Sequence, residues 1–263
     1  ERAGDVIPHV ISVDKNLRNE NIKKFIFPKK CPCGFETIKE FNKVTKKIDA
    51  VRRCPDIGFD CNRIAKEKLK HFVSKDALNI DGLGKKVIDQ FWDLKLIRYP
   101  ADIFKLNYMQ ISRLEGWGEV SINNLKEAIK KSQQISLDKF IFSIGIRHIG
   151  QENAKILAGF FKTVKEFSKL FDFEARKKIL ANLVDLDGIG ETQILSIDNF
   201  FLNDTNTKIT KDLISKITIK NYQIQNTNGK FSNKKLMFTG GFKKMSRSEA
   251  KNIVENYGGK VLG

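Results

Sequence analysis

The sequence predicts a mainly α chain, with a four-cysteine metal-binding segment ahead of four repeated helical hairpins and β-rich pieces at both ends. Three observations carry this expectation. Short glycine turns recur four times between helical patterns, the four cysteines all fall within 31 residues, and apolar residues through the middle recur at i, i+3 and i+4.

Residues 1–14, "ERAGDVIPHVISVD", hold a β-rich run at 10–13 with a nearby proline and no helical period. Next come Cys31, Cys33, Cys54 and Cys61, clustered, while the 202 residues after Cys61 contain none. Secreted disulfide scaffolds distribute cysteines more widely, so this clustering suits a metal site in a reducing compartment. From about residue 64 the pattern turns helical. Leu69, Phe72 and Val73 mark one apolar face, and Val87, Ile88, Phe91 and Trp92 mark another. Helical patterning runs to about residue 202. Residues 203–230 are polar and weakly patterned, which predicts a linker with one helix near 209–217. "KKLMFTGGF" reads as a strand and turn. "SRSEAKNIVENYGG" reads as a helix capped by Ser246, with Glu249 three residues on, and closed by Gly258.

The repeats are "NIDGLGKKVIDQF", "RLEGWGEVSINNL", "GIRHIGQENAKIL" and "DLDGIGETQILSI". Their second glycines, Gly84, Gly118, Gly150 and Gly190, are spaced by 34, 32 and 40 residues. The earlier glycines are Gly82, Gly116 and Gly188, and the third copy has His148 instead. A tight connection between packed helices favours glycine, which takes positive φ without strain. Lacking Cβ atoms, such a loop also lets a ligand approach its backbone. The N–H groups opening the second helix have no partner inside it, and the helix dipole adds positive charge there, so a phosphate oxygen satisfies both. Ordinary glycine-capped hairpins are the competing reading, and for a single copy the better one. Four copies in a chain of net charge +17 reverse that preference. Contacts to backbone phosphate carry no sequence information, so sequence-independent duplex binding follows.

The basic balance, with pI near 9.6, points to a polyanionic partner, most often nucleic acid. Lysine solvating the surface is the plainer account of the same number. No apolar run approaches the ~18 residues of a membrane span. The chain opens at Glu1 and stops at Gly263 within an element, so it reads as a fragment. His9, His71 and His148 form no catalytic pairing. His71 is expected to be packed, and Trp92 and Trp117 to be core.

The collinear order of "ERAGDVIP", the cysteine cluster, "LKHFVSKDALNIDGLGKKVID", "LEGWGE", "SIGIRHIG" and "FTGGF…MSRSEAKNIVENYGGKV" resembles the C-terminal half of bacterial NAD-dependent DNA ligases. The resemblance covers nearly the whole chain. It implies that residues 1–24 end an OB-fold domain and lead to a linker, and that 25–62 form a zinc finger. Residues 63–203 would be the helix-hairpin-helix DNA-binding domain, 204–230 a linker and 231–263 a partial BRCT domain. Such ligases seal nicks in duplex DNA, joining phosphate esters during replication and repair. The resemblance implies structural zinc here, with NAD and a divalent cation such as magnesium used in a half that precedes this chain. A bacterial cytoplasmic, nucleoid-associated monomer follows, with nicked duplex DNA as partner and no membrane. This chain contains no Lys-x-Asp-Gly, so it would hold neither a catalytic residue nor the NAD site and would be inactive alone.

By this reading Cys31, Cys33, Cys54 and Cys61 are the metal ligands. The DNA-binding residues are Gly82, Gly84, Lys85, Lys86, Gly116, Gly118, Arg147, His148, Gly150, Gly188 and Gly190. Thr239 and Gly240 match the phosphate-binding pair of BRCT domains. The finger departs from the family's Cys-Pro-x-Cys-Gly, reading Cys31-Pro32-Cys33-Gly34, one residue short in a position where two to four intervening residues are usual. A metal-free, rearranged finger therefore stays open. Two other functions do too: a non-catalytic hairpin module, and a hairpin-containing glycosylase or nuclease, for which Asp89 is the nearby acidic candidate.

Overall fold

The structure, a computed structural model, describes residues 2–262 apart from 4–6, 9, 20, 43–45, 224–228, 233, 241, 243, 244 and 246. The chain divides into two compact units, Glu1–Pro55 and Asp56–Gly263.

In the first unit β1 (Arg2–Ala3) pairs antiparallel with β2 (Ile7–Pro8), and β3 (Ile38–Asn42) with β4 (Lys47–Arg53). The β3–β4 register shifts between Lys39 and Phe41. Arg52 of β4 donates from Nε to Thr37 Oγ1 at 2.8 Å and from Nη2 to the Thr37 carbonyl at 2.7 Å, which fixes the start of the hairpin. The β-rich run expected at 10–13 is not a strand; Val10, Ile11 and Val13 are exposed. β-branched residues form a strand only where a neighbour takes their N–H and C=O groups, and the paired segments here lie at 2–3 and 7–8. His9 lies outside the described residues.

The second unit is helical. α1 (Asn62–Phe72) leads through a turn to α2 (Lys85–Asp93); a 3₁₀ turn, Pro100–Lys105, then precedes α3 (Tyr108–Ile111) and α4 (Glu119–Ser132). Strand β5 (Gln134–Ser136) enters α5 (Leu137–Ser143), followed by α6 (Gln151–Phe161) and the short α7 (Val164–Phe167). α8 (Phe173–Leu183) and α9 (Glu191–Leu202) close the repeated part. Their inward faces share one apolar core, in which Phe72, Phe91, Phe140 and Phe167 are fully buried. Phe167 meets Phe140, Phe161 and Phe201 edge-on at 5.4–5.9 Å. Each such ring contributes about 1.5–3 kcal/mol by burial.

Residues 204–230, expected to be a linker with one helix near 209–217, open with a longer helix, α10 (Asp204–Lys216), followed by β6 (Thr218–Lys220), which runs parallel to β5. Asn203 caps α10 by accepting from the Asn206 amide at 2.9 Å. The buried face of α10 is Asn206, Thr210 and Leu213, and with Asn206 polar no apolar residue announces the first turn. Asn206 is satisfied by donating to the carbonyls of Ile57 and Phe200. At the C-terminal end β7 (Lys235–Met237), α11 (Arg247–Asn256) and β8 (Lys260–Leu262) form a parallel βαβ unit. Gly258, at φ +81°, ends α11 as expected; the cap expected at Ser246 lies outside the described residues. Among the described residues no helix is long and apolar enough to cross a membrane.

Candidate nucleic-acid interface

The four glycine turns share one backbone construction. In each, the residue between the two turn positions donates its amide three residues back: Leu83 to Ile80, Trp117 to Leu114, Ile149 to Ile146 and Ile189 to Leu186, at 3.0–3.3 Å. The second helix then opens on the carbonyl of the second glycine, which accepts from Ile88, Ile122, Ala154 and Ile194 at 2.9–3.1 Å. Gly84, Gly118, Gly150 and Gly190 are thus the N-caps of α2, α4, α6 and α9, each with extended backbone.

The first turn position sets the hairpin. Gly82, Gly116 and Gly188 have φ between +82° and +89°, and His148, the substitution in the third copy, holds φ +61°. The missing glycine therefore leaves the conformation unchanged, at the strain a non-glycine residue bears there. Leu83, Ile149 and Ile189 are buried between exposed neighbours, and Trp117 lies half-buried against the Phe91 ring at 5.4 Å. Each loop is thereby pinned by one apolar side chain while its glycines face solvent. A Cβ at Gly84, Gly118 or Gly150 would meet nothing within 4 Å, so open space lies in front of these helix N-termini.

The hairpins also meet in pairs. Gly82 packs on Leu125 of α4, and Gly188 on Ile156 of α6, where Asn153 also donates to the Gly188 carbonyl at 3.2 Å. The first hairpin thus leans on the second, and the fourth on the third.

Charge divides the loops. Lys85 and Lys86 open α2 and are exposed, as are Arg147 and His148 in the third turn. Glu119 opens α4, and Glu191 opens α9. In α2, α4 and α6 no side chain caps the N-terminus. In α9, Gln193 Oε1 accepts from the Gly190 amide at 3.2 Å, a contact that the sequence reading missed although a Gln three residues past a cap is its usual signal.

Other candidate residues have structural partners. His71 Nε2 donates to the Phe142 carbonyl at 2.8 Å and stands edge-on to the Phe142 ring, so it is packed. Trp92 is buried under the Arg98 guanidinium, 4.3 Å from its ring. Asp89 pairs with Lys70 at 3.0 Å and Lys66 at 3.5 Å, and the Lys70 hydrogen bond holds its carboxyl below the usual range. An acid so engaged is an ion-pair member on a helix. Lys68 is displaced from ordinary behaviour. Burial pulls its pKa down to about 8 against an opposing pull from Asp56, and its Nζ lies 4.9 and 5.5 Å from the Phe59 and Phe200 rings.

Cys31 begins a tight knuckle, donating to the Phe35 carbonyl and accepting from the Gly34 amide, with Gly34 at φ +91°. Cys61 caps α1, and its amide donates to Asp56 Oδ2 at 2.8 Å. Cys31, Cys33 and Cys54 lie in the first unit and Cys61 in the second, and thiolates are the usual ligands of a structural Zn²⁺ ion. Thr239 and Gly240 follow β7 and are exposed.

The family model for the helix-hairpin-helix motif matches residues 139–210, which contain the third and fourth hairpins. Over the full chain the sequence is 54% identical to a DNA ligase of Pelagibacter ubique strain HTCC1062 and 39% identical to a DNA ligase of Parvibaculum lavamentivorans. It is 41% identical, over 99% of the chain, to a DNA ligase of Wolbachia pipientis. The chain belongs to the bacterial DNA ligase family. It spans 38–39% of the length of these ligases. In this ligase segment the first and second hairpins lie outside the matched motif yet repeat its hydrogen bonds.

Proposed function

We propose that this chain is the duplex-gripping part of an NAD-dependent ligase that seals nicks, and that its four hairpins hold the DNA backbone without reading sequence. The observation that carries this is the common geometry of the four helix N-termini: glycine-capped, exposed, and three of them with open space where a side chain would stand. Backbone N–H groups and the helix dipole converge there on any phosphate oxygen, at the same place in every copy. Lys85, Lys86, Arg147 and His148 supply cations or donors beside Gly82, Gly84 and Gly150. Gly116, Gly118, Gly188 and Gly190 contribute backbone alone. Because each hairpin offers amides to phosphate and nothing to base edges, affinity is set by charge and groove spacing.

In this reading residues 1–24 end an OB-fold domain, 25–62 form a zinc finger, and 63–203 are the hairpin domain. Residues 204–230 lead to the start of a BRCT domain at 231–263. Cys31, Cys33, Cys54 and Cys61 hold zinc, which closes the finger and leaves no open coordination position for catalysis. The adenylate-accepting lysine, NAD and the divalent cation belong to the rest of the ligase. The partner is nicked duplex DNA, bound by a monomer in the bacterial cytoplasm at the nucleoid.

Measuring affinity for labelled duplexes of several sequences, between roughly 50 and 200 mM salt, tests the binding claim. Expected are similar affinities across sequences and a logarithmic slope of about −0.9 for each phosphate engaged. A flat salt response, or marked preference for one sequence, overturns it. Mixing the chain with the complementary part of a related ligase tests the enzyme claim. Nick sealing should require both parts and NAD, and sealing by this chain alone would refute the assignment.

A further inference from the structure

Helices α6 and α11, about 100 residues apart in sequence, are joined by a closed ring of four charges. Lys155 Nζ reaches Glu255 at 2.7 Å, and Lys251 Nζ reaches Glu152 at 2.8 Å. Within each helix the ring is completed by Lys155–Glu152 at 3.7 Å and Lys251–Glu255 at 3.8 Å. Isolated surface pairs contribute little, but a network in which every member has two partners is held more firmly. The Glu255 side chain is only 15% exposed, and Ala250 and Val254 on the same helix are buried. The connecting segment is fastened at the other end of α6. The Tyr222 amide donates to the Lys162 carbonyl at 2.8 Å, and the Tyr222 ring lies 3.7 Å from where a Cβ on Gly159 would stand. The described parts of the C-terminal segment are therefore held at both ends of α6, Tyr222 at its last turn and α11 at its first.

That first turn is where the third hairpin presents its amides, and Glu152 is its second residue. An uncompensated carboxylate there satisfies the dipole itself and repels an incoming phosphate. Lys251 supplies the compensation, since its hydrogen bond is the main reason the Glu152 carboxyl stays below the ordinary range.

We propose that the C-terminal βαβ unit is a clasp on the third hairpin: the charge ring holds it to α6, and Lys251 neutralises Glu152 so that the hairpin can accept a duplex phosphate. This rests on the phosphate-gripping reading above. The clasp makes duplex affinity depend on a module that need not touch the bases, and it gives that dependence a salt-sensitive latch.

The test uses the whole chain, with two readouts: amide hydrogen exchange across residues 250–256, and affinity for a labelled mixed-sequence duplex. Lys155→Glu should speed exchange in α11 and weaken affinity about two- to five-fold, the size of a helix-terminus charge effect. Adding Glu255→Lys, which restores the cross-helix pair and the net charge though not the two within-helix pairs, should recover part of both. Lys251→Ala should weaken affinity similarly, and the loss should vanish in a Glu152→Gln background. Exchange unaffected by Lys155→Glu would overturn the clasp. Faster exchange with unchanged affinity would overturn the coupling while leaving the hairpin reading intact. A Lys251→Ala loss that persists beside Glu152→Gln would mean direct contact of Lys251 with DNA, overturning neutralisation. Failure of the parent chain to bind duplex would sink both readings at once.

Discussion

The Gly190 amide donates to Gln193 Oε1 at 3.2 Å, so the fourth hairpin already occupies one of the donors that α2, α4 and α6 leave without a side-chain cap. With Glu191 as the first residue of α9, this hairpin presents the poorest anion site of the four. The second, opened by Glu119, comes next, and the first and third are the strong ones. Since hairpins meet as first with second and fourth with third, each pair combines one strong and one weak site.

Hairpin strength is therefore expected to be graded. Lys85→Ala and Arg147→Ala should weaken duplex binding and lower the salt slope by about one each. Glu119→Ala and Glu191→Ala should leave affinity unchanged or raise it slightly, because they remove a carboxylate worth about 1 kcal/mol of repulsion at ~4 Å in water. Titrations of a labelled duplex at several salt concentrations decide this. Acidic-loop changes that weaken binding as much as the basic ones, with folding intact, would refute the ranking.

Turn geometry makes a separate prediction about stability. Gly116 has φ +82° and open space around it, so Gly116→Ala should cost only backbone strain, about 1–2 kcal/mol. Gly188 has φ +87° and its added Cβ would stand 2.6 Å from Ile156 Cδ1. Gly188→Ala must also turn that methyl aside, adding about 1 kcal/mol. Denaturant melts should rank the two in that order, and equal stability losses would show that the α6 contact carries no constraint.

How legible was this in the sequence? The hairpins were readable because each needs a positive-φ residue, then an apolar pin, then a cap with no side chain, at fixed offsets. Even the His148 copy keeps its register, since its neighbours Ile149 and Gly150 carry the other two requirements. The start of α10 was under-read because Asn206 and Thr210 take core positions, Asn206 donating to the Ile57 and Phe200 carbonyls and the Thr210 hydroxyl to the Asn206 carbonyl one turn back. Arg176 was unreadable for the same reason. It is buried while paired to Asp198 at 2.9 Å and donating to the Leu170 and Phe201 carbonyls. The charge ring joins residues some 100 positions apart, and no local pattern encodes such a meeting. The run at 10–13 misled because propensity says nothing about whether a partner strand exists.

The cysteine set predicts a structural metal. Purified chain should carry about one zinc, held through Cys31, Cys33, Cys54 and Cys61, and replacing any one of them by Ser should weaken it, since each change removes one of four thiolates. Competition with a chromophoric chelator under reducing conditions measures this. Unchanged zinc affinity after Cys54→Ser would mean that Cys54 is not a ligand, and no zinc in the parent chain would mean that the short Cys31–Cys33 spacing has abolished the site.

Lys68 sets the last expectation, a pH effect with a definite sign. Its ammonium donates to Asn206 Oδ1 at 3.3 Å and to the Ile57 carbonyl, among aromatic rings, and burial lowers its pKa from 10.5 to about 8. The unfolded chain therefore binds the proton more tightly than the folded one. Below pH 8 both states are charged and the folded state bears the full desolvation cost, on the order of 3 kcal/mol at 1.36 kcal/mol per pH unit of displacement. Between pH 8 and 10.5 the folded state is neutral while the unfolded state is still charged, so stability rises with pH across that window, and levels off above it. Lys68→Met removes the titration while keeping the stem's volume. The stability of the parent chain minus that of Lys68→Met should thus increase steadily from pH 8 to pH 10, measured by denaturant melts at matched ionic strength. Subtracting the variant cancels the other lysines, which titrate alike in both proteins. A difference that stays constant over this range would show that the Lys68 amine is as well solvated as any on the surface, and that its aromatic surroundings admit water.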